Sequence, residues 1–229
     1  MDKFHRLRLL IGDKLNSLQA TTVALFGLGG VGSYAAEILV RSGIGNLIII
    51  DNDTINITNL NRQLMTNHNN IGKYKTDEIE LRLKSINPNI NIIKINEFIT
   101  QKNIDLVFDN KIDYVIDAID TIETKKEIIR ICKKKNIKFI TCMGTGNKLH
   151  PEKLKIMDIR KTTYDPIAKI IRKMVRDEKI KGKIMVVCSD EVKVTQVKEE
   201  IPSCAFVPSA AGILCASYVI NDIVGDNNV

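Results

Sequence analysis

Short apolar runs alternate along this chain with segments of helical periodicity, and the alternation predicts its fold class. Apolar and β-branched residues predict buried strands over residues 23–26, 47–50, 90–95, 113–117 and 138–142. Between these runs, apolar residues recur at the spacing of amphipathic helices. Strands that alternate with helices build a doubly wound, mostly parallel α/β sheet of the Rossmann-like type. Such sheets bind ligands at the carboxyl ends of their strands.

Besides a helix that follows the first strand, helices are expected over five stretches, and two further strands follow the last parallel one. Apolar residues three and four apart predict the helices, which cover residues 4–18, 75–86, 122–135, 166–176 and 208–224. Strands over 154–159 and 183–188 flank the fourth helix, and we expect them to form an antiparallel extension of the sheet. Polar residues interrupt the last helix, which is therefore expected to be buried rather than to span a membrane.

The first strand runs directly into a glycine-rich turn. Gly27, Gly29, Gly30 and Gly32 separate it from a helical pattern, and Asp51 ends the second strand, 24 residues after the first glycine. Glycines let a backbone turn tightly and approach a phosphate, whose charge suits a helix N-terminus. An acid at the end of the second strand is placed to bind a ribose. The pattern indicates a nucleotide site. The alternatives are a turn that only packs a helix on the sheet, and an acid that is merely a solvated strand end.

Polar and cationic residues follow the second strand and narrow the choice of nucleotide. Asn59, Asn61, Arg62 and Gln63 come soon after it, and Lys75 stands at the start of the next helix. A triphosphate requires cations near its phosphate groups. A dinucleotide fold needs no arginine there, unless it binds a 2′-phosphate. ATP is therefore favoured over NAD, and ordinary surface charges are the alternative interpretation of the arginine and the lysine.

Composition bounds the class of protein. The 229 residues suit a single α/β domain, residues 1–229, and a hydrophobic content of 44% suffices for a full core. The five cysteines show no CxxC spacing, which indicates neither a zinc knuckle nor a disulfide framework. The N-terminal segment lacks the apolar stretch of a signal peptide, so we expect a cytoplasmic protein. A net charge of +7 is compatible with an anionic partner such as RNA.

The motifs occur in an order that resembles a known superfamily. GLGGVG, DND, NLNRQ, GKYK and DAID follow one another as in the ubiquitin-activating-enzyme-like (ThiF/MoeB) superfamily of ATP-dependent adenylating enzymes. Three later segments, MGTGNKL, DIRKTTYDPIAKIIRK and FVPSAAG, resemble the tRNA threonylcarbamoyladenosine dehydratase family. That family is similar to sulfur-carrier activators but lacks their zinc cysteines, as this chain does.

The resemblance implies ATP-dependent chemistry on a tRNA nucleoside. The carboxylate of threonylcarbamoyladenosine would be activated by ATP and would then close on its own side chain, with net loss of water. A carboxylate is a poor acyl donor because its oxygen leaves as oxide, and transfer of AMP supplies a better leaving group. Attack from the same side chain also gains from proximity. The resemblance further implies a homodimer and a tRNA-facing elaboration over residues 147–205, and it leaves a sulfur-transfer partner open.

The resemblance also assigns roles to individual residues. Besides the four glycines of the turn, ATP would contact five side chains, those of Asp51, Asn59, Arg62, Gln63 and Lys75. The arginine and the lysine would stabilise charge as pyrophosphate leaves. Asp120 would hold Mg²⁺, which bridges phosphate oxygens. Asp117, in the same motif, also lies at a strand end where ligands bind. The alternative is that it only caps the following helix.

Two further sites rest on the resemblance and on charge. Arg6 matches the N-terminal arginine that members of the family contribute to the ATP site of the neighbouring subunit. Without the resemblance, it would be a solvated residue of an amphipathic helix. Residues 160–183 carry nine basic and three acidic residues, a net +6 of the chain's +7. Phosphate contact and a merely solubilising face are the two interpretations of this segment. The candidate tRNA-binding residues are Lys161, Arg172, Lys173 and Arg176.

The cysteines offer one candidate for chemistry and two for the core. Cys204 lies in the region where related carrier-activating enzymes have a catalytic thiol, although no base is evident beside it. Cys142 and Cys188 follow apolar strand residues and are expected to be buried.

Two other functions compete with the dehydratase. One is an adenylating enzyme for a small sulfur-carrier protein, and the other is an NAD-dependent dehydrogenase. The missing zinc cysteines and the basic segment argue against the first. The cations after the second strand, and the lack of a recognisable hydride-transfer domain, argue against the second.

Overall fold

The computed structural model describes residues 2–197 and 200–225, which contain one seven-stranded sheet. Its strands are β1 (Thr22–Phe26), β2 (Asn46–Ile50), β3 (Asn91–Ile95), β4 (Tyr114–Asp117), β5 (Lys138–Cys142), β6 (Leu154–Asp158) and β7 (Met185–Ser189). They lie in the order β3-β2-β1-β4-β5-β7-β6, and every neighbouring pair is parallel except β6 with β7. The predicted doubly wound, mostly parallel sheet is therefore confirmed.

Helices pack on both faces of this sheet. They are α1 (His5–Ile11), α2 (Lys14–Ala20), α3 (Gly32–Arg41), α4 (Lys75–Ile86), α5 (Asp105–Phe108), α6 (Ile122–Lys135), α7 (Pro166–Asp177) and α8 (Phe206–Val224). Helices α2, α3, α4 and α8 contribute to one apolar layer, and α5, α6 and α7 to the other. The central strands are thus covered on both sides, which is why they appear in the sequence as nearly continuous apolar runs.

Strand β1 shows how the two layers share one strand. Val23 and Leu25 lie in the first layer, while Ala24 and Phe26 lie in the second, and all four are fully buried. Successive side chains of a strand point to opposite faces, so a strand between two helical layers must be apolar at every position. This burial anchors the end of β1, from which the glycine-rich turn emerges.

The N-terminal helical segment is broken, which corrects the single helix expected over residues 4–18. Helix α1 ends at Gly12, whose φ of 59° lies in the left-handed region, and α2 begins two residues later. Leu15 and Leu18 of α2 are fully buried, whereas α1 has no buried residue. The apolar periodicity continues across the break and therefore concealed it.

The extension beyond β5 is only partly antiparallel. Strands β6 and β7 pair antiparallel, as expected, but β7 itself lies parallel to β5 and continues the parallel part of the sheet. Apolar patterning predicts that a strand exists but carries no information on its direction. As a result, the segment after β7 reaches the same edge of the sheet as the segments after β1, β2, β4 and β5.

Helix α8 is a core helix of this domain, as predicted. By length and composition alone it could cross a membrane, yet Val207, Ala211 and Cys215 are fully buried in the layer that it shares with α3. At Gly212 the two helices touch so closely that a Cβ atom would lie 2.2 Å from the carbonyl oxygen of Val31. Glycine is therefore required at the crossing point, directly behind the glycine-rich turn.

A buried ion pair lies at the carboxyl end of β4. Nζ of Lys125, on α6, lies 2.7 Å from Oδ2 of Asp117, and neither side chain is accessible to solvent. The ammonium group also donates to the Thr141 hydroxyl and to the Cys142 carbonyl oxygen, both at 3.0 Å, so its three donors are all used. The suggestion that Asp117 caps α6 is wrong, because this network engages its carboxylate and α6 has no side-chain cap.

Candidate functional site

The carboxyl ends of the parallel strands meet in a cleft with a volume of about 560 Å³. The segments after β1, β2, β3 and β4 line one part of it, here called the glycine-loop half. The segments after β5 and β7, with the start of α7, line the other part, here called the α7 half. Adjacent strands lie about 4.8 Å apart, so the ends of β2 and β5, three spacings apart, are separated by about 14 Å. A nucleotide and a second substrate can lie side by side over such a span.

The glycine-rich turn presents its backbone to the cleft. Gly27 has a φ of 86°, and a Cβ atom there would lie 2.8 Å from the carbonyl oxygen of Ala118, so conformation and space both exclude a side chain. A Cβ atom on Gly32 would lie 1.8 Å from the carbonyl oxygen of Gly27. Gly32 does not line the cleft and instead lets α3 pack against the turn.

Gly29 borders open space. The amide nitrogen of Gln63, at 3.9 Å, is the one atom within 4 Å of a Cβ atom built at Gly29, apart from neighbouring chain. Any side chain at this position would therefore project into the volume that a ligand would fill. A Cβ atom on Gly30 would instead lie 3.1 Å from Pro208 of α8. The turn thus combines a bare backbone surface with firm support from behind.

Asp51 ties the end of β2 to the glycine-rich turn. Its Oδ2 accepts a hydrogen bond from the Leu28 N–H at 2.7 Å, and its Oδ1 accepts one from the Asp53 N–H at 2.8 Å. Burial raises the pKa of the Asp51 carboxyl, while Lys75 and these two N–H groups act in the opposite direction. The side chain is 9% exposed, so the solvated strand end is wrong. Each oxygen keeps a lone pair for a ligand hydroxyl.

Lys75 is a buried cation at the first residue of α4. Its Nζ lies 2.6 Å from Oδ2 of Asp53 and 3.9 Å from Oδ1 of Asp51. A cation at a helix N-terminus opposes the helix dipole, so the two carboxylates are needed to hold it there. The side chain of Lys75 is 6% exposed, which rules out an ordinary surface charge, whereas that of Asp53 is 59% exposed. An anionic ligand in the cleft can therefore take the place of Asp53.

Asn59, Arg62 and Gln63 line the same half of the cleft. Nη1 of the half-buried Arg62 donates to the Thr58 carbonyl oxygen and to the Asn61 side-chain oxygen, both at 2.9 Å. Gln63 is buried, and its Oε1 has no hydrogen-bond partner within residues 2–197 and 200–225. Buried polar groups are normally satisfied, so this amide beside the glycine-rich turn marks a place where a ligand would bind.

Asp120 lies past the end of β4, on the side of the glycine-loop half that borders the α7 half. It is exposed, and its carboxylate accepts no hydrogen bond from the described part of the chain. Across that part, no group of three or more His, Cys, Asp or Glu side chains could hold a metal ion. A single open carboxylate does suit Mg²⁺, which takes its remaining ligands from phosphate groups and water.

The α7 half contains polar groups to which the sequence assigned no role. The buried Lys148 donates from Nζ to the Gly144 carbonyl oxygen at 2.5 Å, and Nζ lies 3.4 Å from Oδ2 of Asp165. Oδ1 of Asp165 caps α7 by accepting the Ala168 N–H at 2.8 Å. Glu191, after β7, is also buried in the wall and accepts two backbone N–H groups. The resemblance placed these residues in a tRNA-facing elaboration over residues 147–205 but gave none of the three a role of its own.

Arg6 lies outside the cleft. It is exposed on α1, whose Leu9 and Leu10 are also exposed, by 76% and 81%. Two large apolar side chains in solvent, close to an exposed arginine on one short helix, form a surface suited to a protein partner.

The basic segment also lies away from the glycine-loop half, and one of its residues has an internal role. Arg172 is half-buried and donates from Nη1 to the Thr162 carbonyl oxygen at 2.8 Å and to the Thr162 hydroxyl. It thus braces the segment that leads into α7. The other candidates, which are exposed, are Lys161, Lys173 and Arg176.

The cysteines differ in exposure. Cys142 and Cys188 are buried, as predicted, and burial raises the pKa of the Cys188 thiol to about 12. Cys204 is half-buried, and its thiol donates to the Lys148 carbonyl oxygen at 3.5 Å. It lies at the edge of the α7 half.

Comparison with known proteins decides the family, since a model of the ThiF family matches residues 4–228. The chain belongs to the ThiF family. It is 39% identical to the tRNA threonylcarbamoyladenosine dehydratase of Bacillus subtilis, over 99% of this chain and 96% of that protein. The predicted resemblance is therefore confirmed over the whole chain and not only over its nucleotide-binding part.

Solved structures and a more distant relative show which members of the ThiF family this chain is similar to. Crystal structures of the E. coli tRNA N6-threonylcarbamoyladenosine dehydratase TcdA with AMP and with ATP each give a TM-score of 0.91 at 29% identity, over 98% of this chain and 94% of theirs. The E. coli sulfur carrier protein ThiS adenylyltransferase is 31% identical, over 58% of this chain and 53% of its own length.

The cleft of this ThiF-family protein collects most of the predicted site. Residues from four separate segments line it together, namely Gly27, Gly29, Gly30, Asp51, Asn59, Arg62, Gln63, Lys75 and Asp120. Gly32 lies beneath the turn, and neither Arg6 nor the four candidate tRNA-binding residues of the basic segment line the cleft. The arrangement can hold a polyanionic nucleotide at one end while leaving the α7 half for a second substrate.

Proposed function

We propose that this chain is an ATP-dependent tRNA threonylcarbamoyladenosine dehydratase, which cyclises the modified nucleoside with net loss of one water. The observation that carries the proposal is a two-part cleft in a chain that matches such a dehydratase over 99% of its length. One half offers backbone and cations to ATP, and the other leaves space for the tRNA nucleoside.

In the glycine-loop half, ATP is proposed to lie against the bare backbone at Gly29, with its ribose hydroxyls on Asp51. Lys75 would exchange the exposed Asp53 for a phosphate oxygen. Arg62 would add a planar fork that stays charged and can clasp two phosphate oxygens. The unsatisfied amide of Gln63 supports this placement, because a bound ligand would supply the missing partner.

Mg²⁺ is proposed to bind at Asp120. When bound, it would neutralise charge on the triphosphate. Asp120 has the chemistry for this role, since it is an open carboxylate in the same cleft as Arg62 and Lys75. Mg²⁺ is commonly held by one or two carboxylates together with substrate phosphates.

The chemistry follows from the substrate's carboxylate. Its oxygen attacks the α-phosphorus of ATP, pyrophosphate leaves, and the carboxyl group becomes an acyl adenylate. Arg62 and Lys75 stabilise the charge that develops on the departing pyrophosphate. A nucleophile of the same side chain then attacks the acyl carbon, AMP leaves with one carboxyl oxygen, and the nucleophile loses its proton. The cleft contributes by holding both reactants in line, because intramolecular closure gains from proximity.

A sulfur-carrier adenylating enzyme is the second candidate, and less supports it. The ThiS adenylyltransferase matches 58% of this chain, whereas the dehydratase match extends through the α7 half. An NAD-dependent dehydrogenase is not supported, because the cations of the cleft suit a triphosphate.

Mass spectrometry of tRNA nucleosides tests the proposed function. The chain is incubated with ATP, Mg²⁺ and tRNA that carries threonylcarbamoyladenosine, and the nucleosides are then compared with those from a reaction without ATP. Loss of one water that depends on ATP is the expected result. An unchanged nucleoside, with AMP transferred to a sulfur-carrier protein instead, would replace the proposal by the second candidate.

The proposed setting is a cytoplasmic homodimer that binds tRNA through the exposed basic residues of the 160–183 segment. Its net charge of +6 suits a phosphate backbone. The dimer is supported by the exposed Leu9 and Leu10 beside Arg6, which a second subunit would cover.

Arg6 is predicted to act in the ATP site of the neighbouring subunit. Arg6→Ala and Asp51→Ala should each be inactive, and mixing them equally under subunit exchange should restore activity. In a mixed dimer, the Arg6→Ala subunit keeps its cleft and receives Arg6 from its partner, so one site is whole. Random exchange makes half the dimers mixed, and about a quarter of all sites should recover.

Arg8 provides the matched control for this experiment. It is exposed on the same helix but is paired with Asp2 at 3.0 Å, so Arg8→Ala should stay active. If exchange is verified by native mass spectrometry and no activity returns, Arg6 does not act in trans.

Side chains at Gly29 are predicted to weaken ATP binding in steps. A methyl group from Gly29→Ala should raise the Kd for ATP about 10-fold, and the larger Gly29→Val about 100-fold, because each fills the cradle without straining the core. Calorimetry measures both, and an unchanged Tm shows that the fold is kept. Equal affinity in all three proteins would place ATP away from the turn.

A further inference from the structure

Tyr164 holds its aromatic ring at the rim of the α7 half. The residue lines the cleft and is 73% exposed. Its ring belongs to neither apolar layer, and its hydroxyl makes no hydrogen bond within the described part of the chain. A large aromatic side chain is thus kept in solvent beside a substrate cleft, where it contributes little to folding.

The backbone at Tyr164 is unfavourable for a tyrosine. Its φ is 55°, in the left-handed region that bulky residues rarely adopt. A hydrogen bond from the Asp165 N–H to the Thr163 carbonyl oxygen, at 2.6 Å, closes a three-residue turn across it. Asparagine or glycine would adopt this conformation at lower cost, so local folding does not explain a tyrosine at this position.

Contacts on both sides hold the turn in this shape. On one side, Arg172 donates to the backbone of Thr162. On the other, the buried Asp165 caps α7 and lies 3.4 Å from Nζ of Lys148. A strained residue persists where the surroundings determine it from both sides, and such residues cluster at ligand sites.

We propose that the ring of Tyr164 stacks on the nucleobase that carries the reacting side chain, and so selects an unstacked tRNA nucleoside for the α7 half. The inference rests on the proposed function and specifies how its substrate is held. Single-stranded RNA bases are commonly bound on aromatic side chains, because every base offers a flat π-face. With the base fixed at the rim, its side chain can extend inward toward the nucleotide in the other half.

Two substitutions test the stacking. Tyr164→Asn removes the ring but suits the left-handed backbone, so the turn and the Tm should be kept. It should raise the KM for tRNA about 10-fold or more, with the KM for ATP unchanged. Tyr164→Phe keeps the ring and should behave like the wild type. A KM for tRNA within twofold of wild type in Tyr164→Asn, or a defect in Tyr164→Phe as large as in Tyr164→Asn, would overturn the proposal.

A fluorescence experiment reads the contact directly. The chain contains no tryptophan, so Tyr164→Trp introduces a single probe. Modified tRNA should quench its emission, whereas ATP alone should not. Leu81→Trp, an exposed helical position outside the cleft, is the control and should show no quenching.

The fluorescence and turnover measurements distinguish a failure of the stacking from a failure of the proposed dehydratase reaction. Quenching without loss of water from the nucleoside would support the stacking and remove the proposed reaction. Turnover by Tyr164→Trp without quenching would overturn the stacking and leave the reaction in place.

Discussion

Replacing Asp120 by alanine is expected to lower turnover about a thousandfold while leaving the fold intact. Asp120 is exposed past the end of β4, and its removal leaves no buried group unsatisfied. In the proposed function, its carboxylate would hold Mg²⁺, whose charge would offset that of the triphosphate, and ATP without that cation would be activated poorly. The rate of water loss from threonylcarbamoyladenosine, at saturating ATP and Mg²⁺, measures the effect.

Glu97 offers a matched control for this substitution. It is a second exposed carboxylate in the wall of the cleft, but it follows β3 at the edge of the sheet. Glu97→Ala changes the net charge of the cleft by the same amount and should keep most of the activity. If Asp120→Ala retained activity within threefold of the wild type, Asp120 would have no place in the reaction.

Replacing Lys125 by methionine is expected to lower the free energy of unfolding by about 3–5 kcal/mol. The methionine fills similar space but leaves the carboxylate of Asp117 buried, without its cation and away from water. The Thr141 hydroxyl and the Cys142 carbonyl oxygen also lose a donor. Urea unfolding followed by circular dichroism measures the loss.

Lys126 is the neighbouring residue on α6 and provides the comparison. Its Nζ lies 2.7 Å from Oε1 of Glu123, whose side chain is 79% exposed. Exposed pairs of this kind contribute about 0–1 kcal/mol, so Lys126→Met should change stability little. If Lys125→Met and Lys126→Met lowered the free energy of unfolding equally, the buried Lys125–Asp117 pair would stabilise the fold no more than an exposed pair does.

Periodicity predicted those elements best in which packing and local pattern agree. Helix α6 and strand β5 begin and end where the sequence placed them, because an amphipathic helix and a doubly buried strand leave unmistakable patterns. The single helix predicted over residues 4–18 was wrong because Gly12 turns the chain without interrupting the apolar spacing. The antiparallel pairing of β6 with β7 was predicted correctly. The parallel pairing of β7 with β5 was not predicted, because it depends on the path taken by the preceding chain, which no local pattern records.

The two halves of the cleft differ in how well the sequence predicted them. The glycine-loop half consists of short motifs, each of which indicates nucleotide binding by itself and could be recognised separately. The α7 half is assembled from single residues of distant segments, such as Lys148, Tyr164 and Glu191, which no spacing connects. Asp117 was misjudged because its partner, Lys125, resembles any lysine of a basic helix until the fold buries it.

The contact between α3 and α8 has a consequence for folding during synthesis on the ribosome. Phe206, where α8 begins, comes 179 residues after Gly27, so the ribosome completes the glycine-rich turn long before its support. At about 5–20 residues per second, the interval is about 10–40 s. Until α8 emerges, the apolar side of α3 and β5 that it covers is open to water and to other nascent chains. The glycine-rich turn is therefore synthesised early, but the apolar surface behind it stays exposed until α8 is synthesised. During this interval, a chaperone could bind that exposed surface.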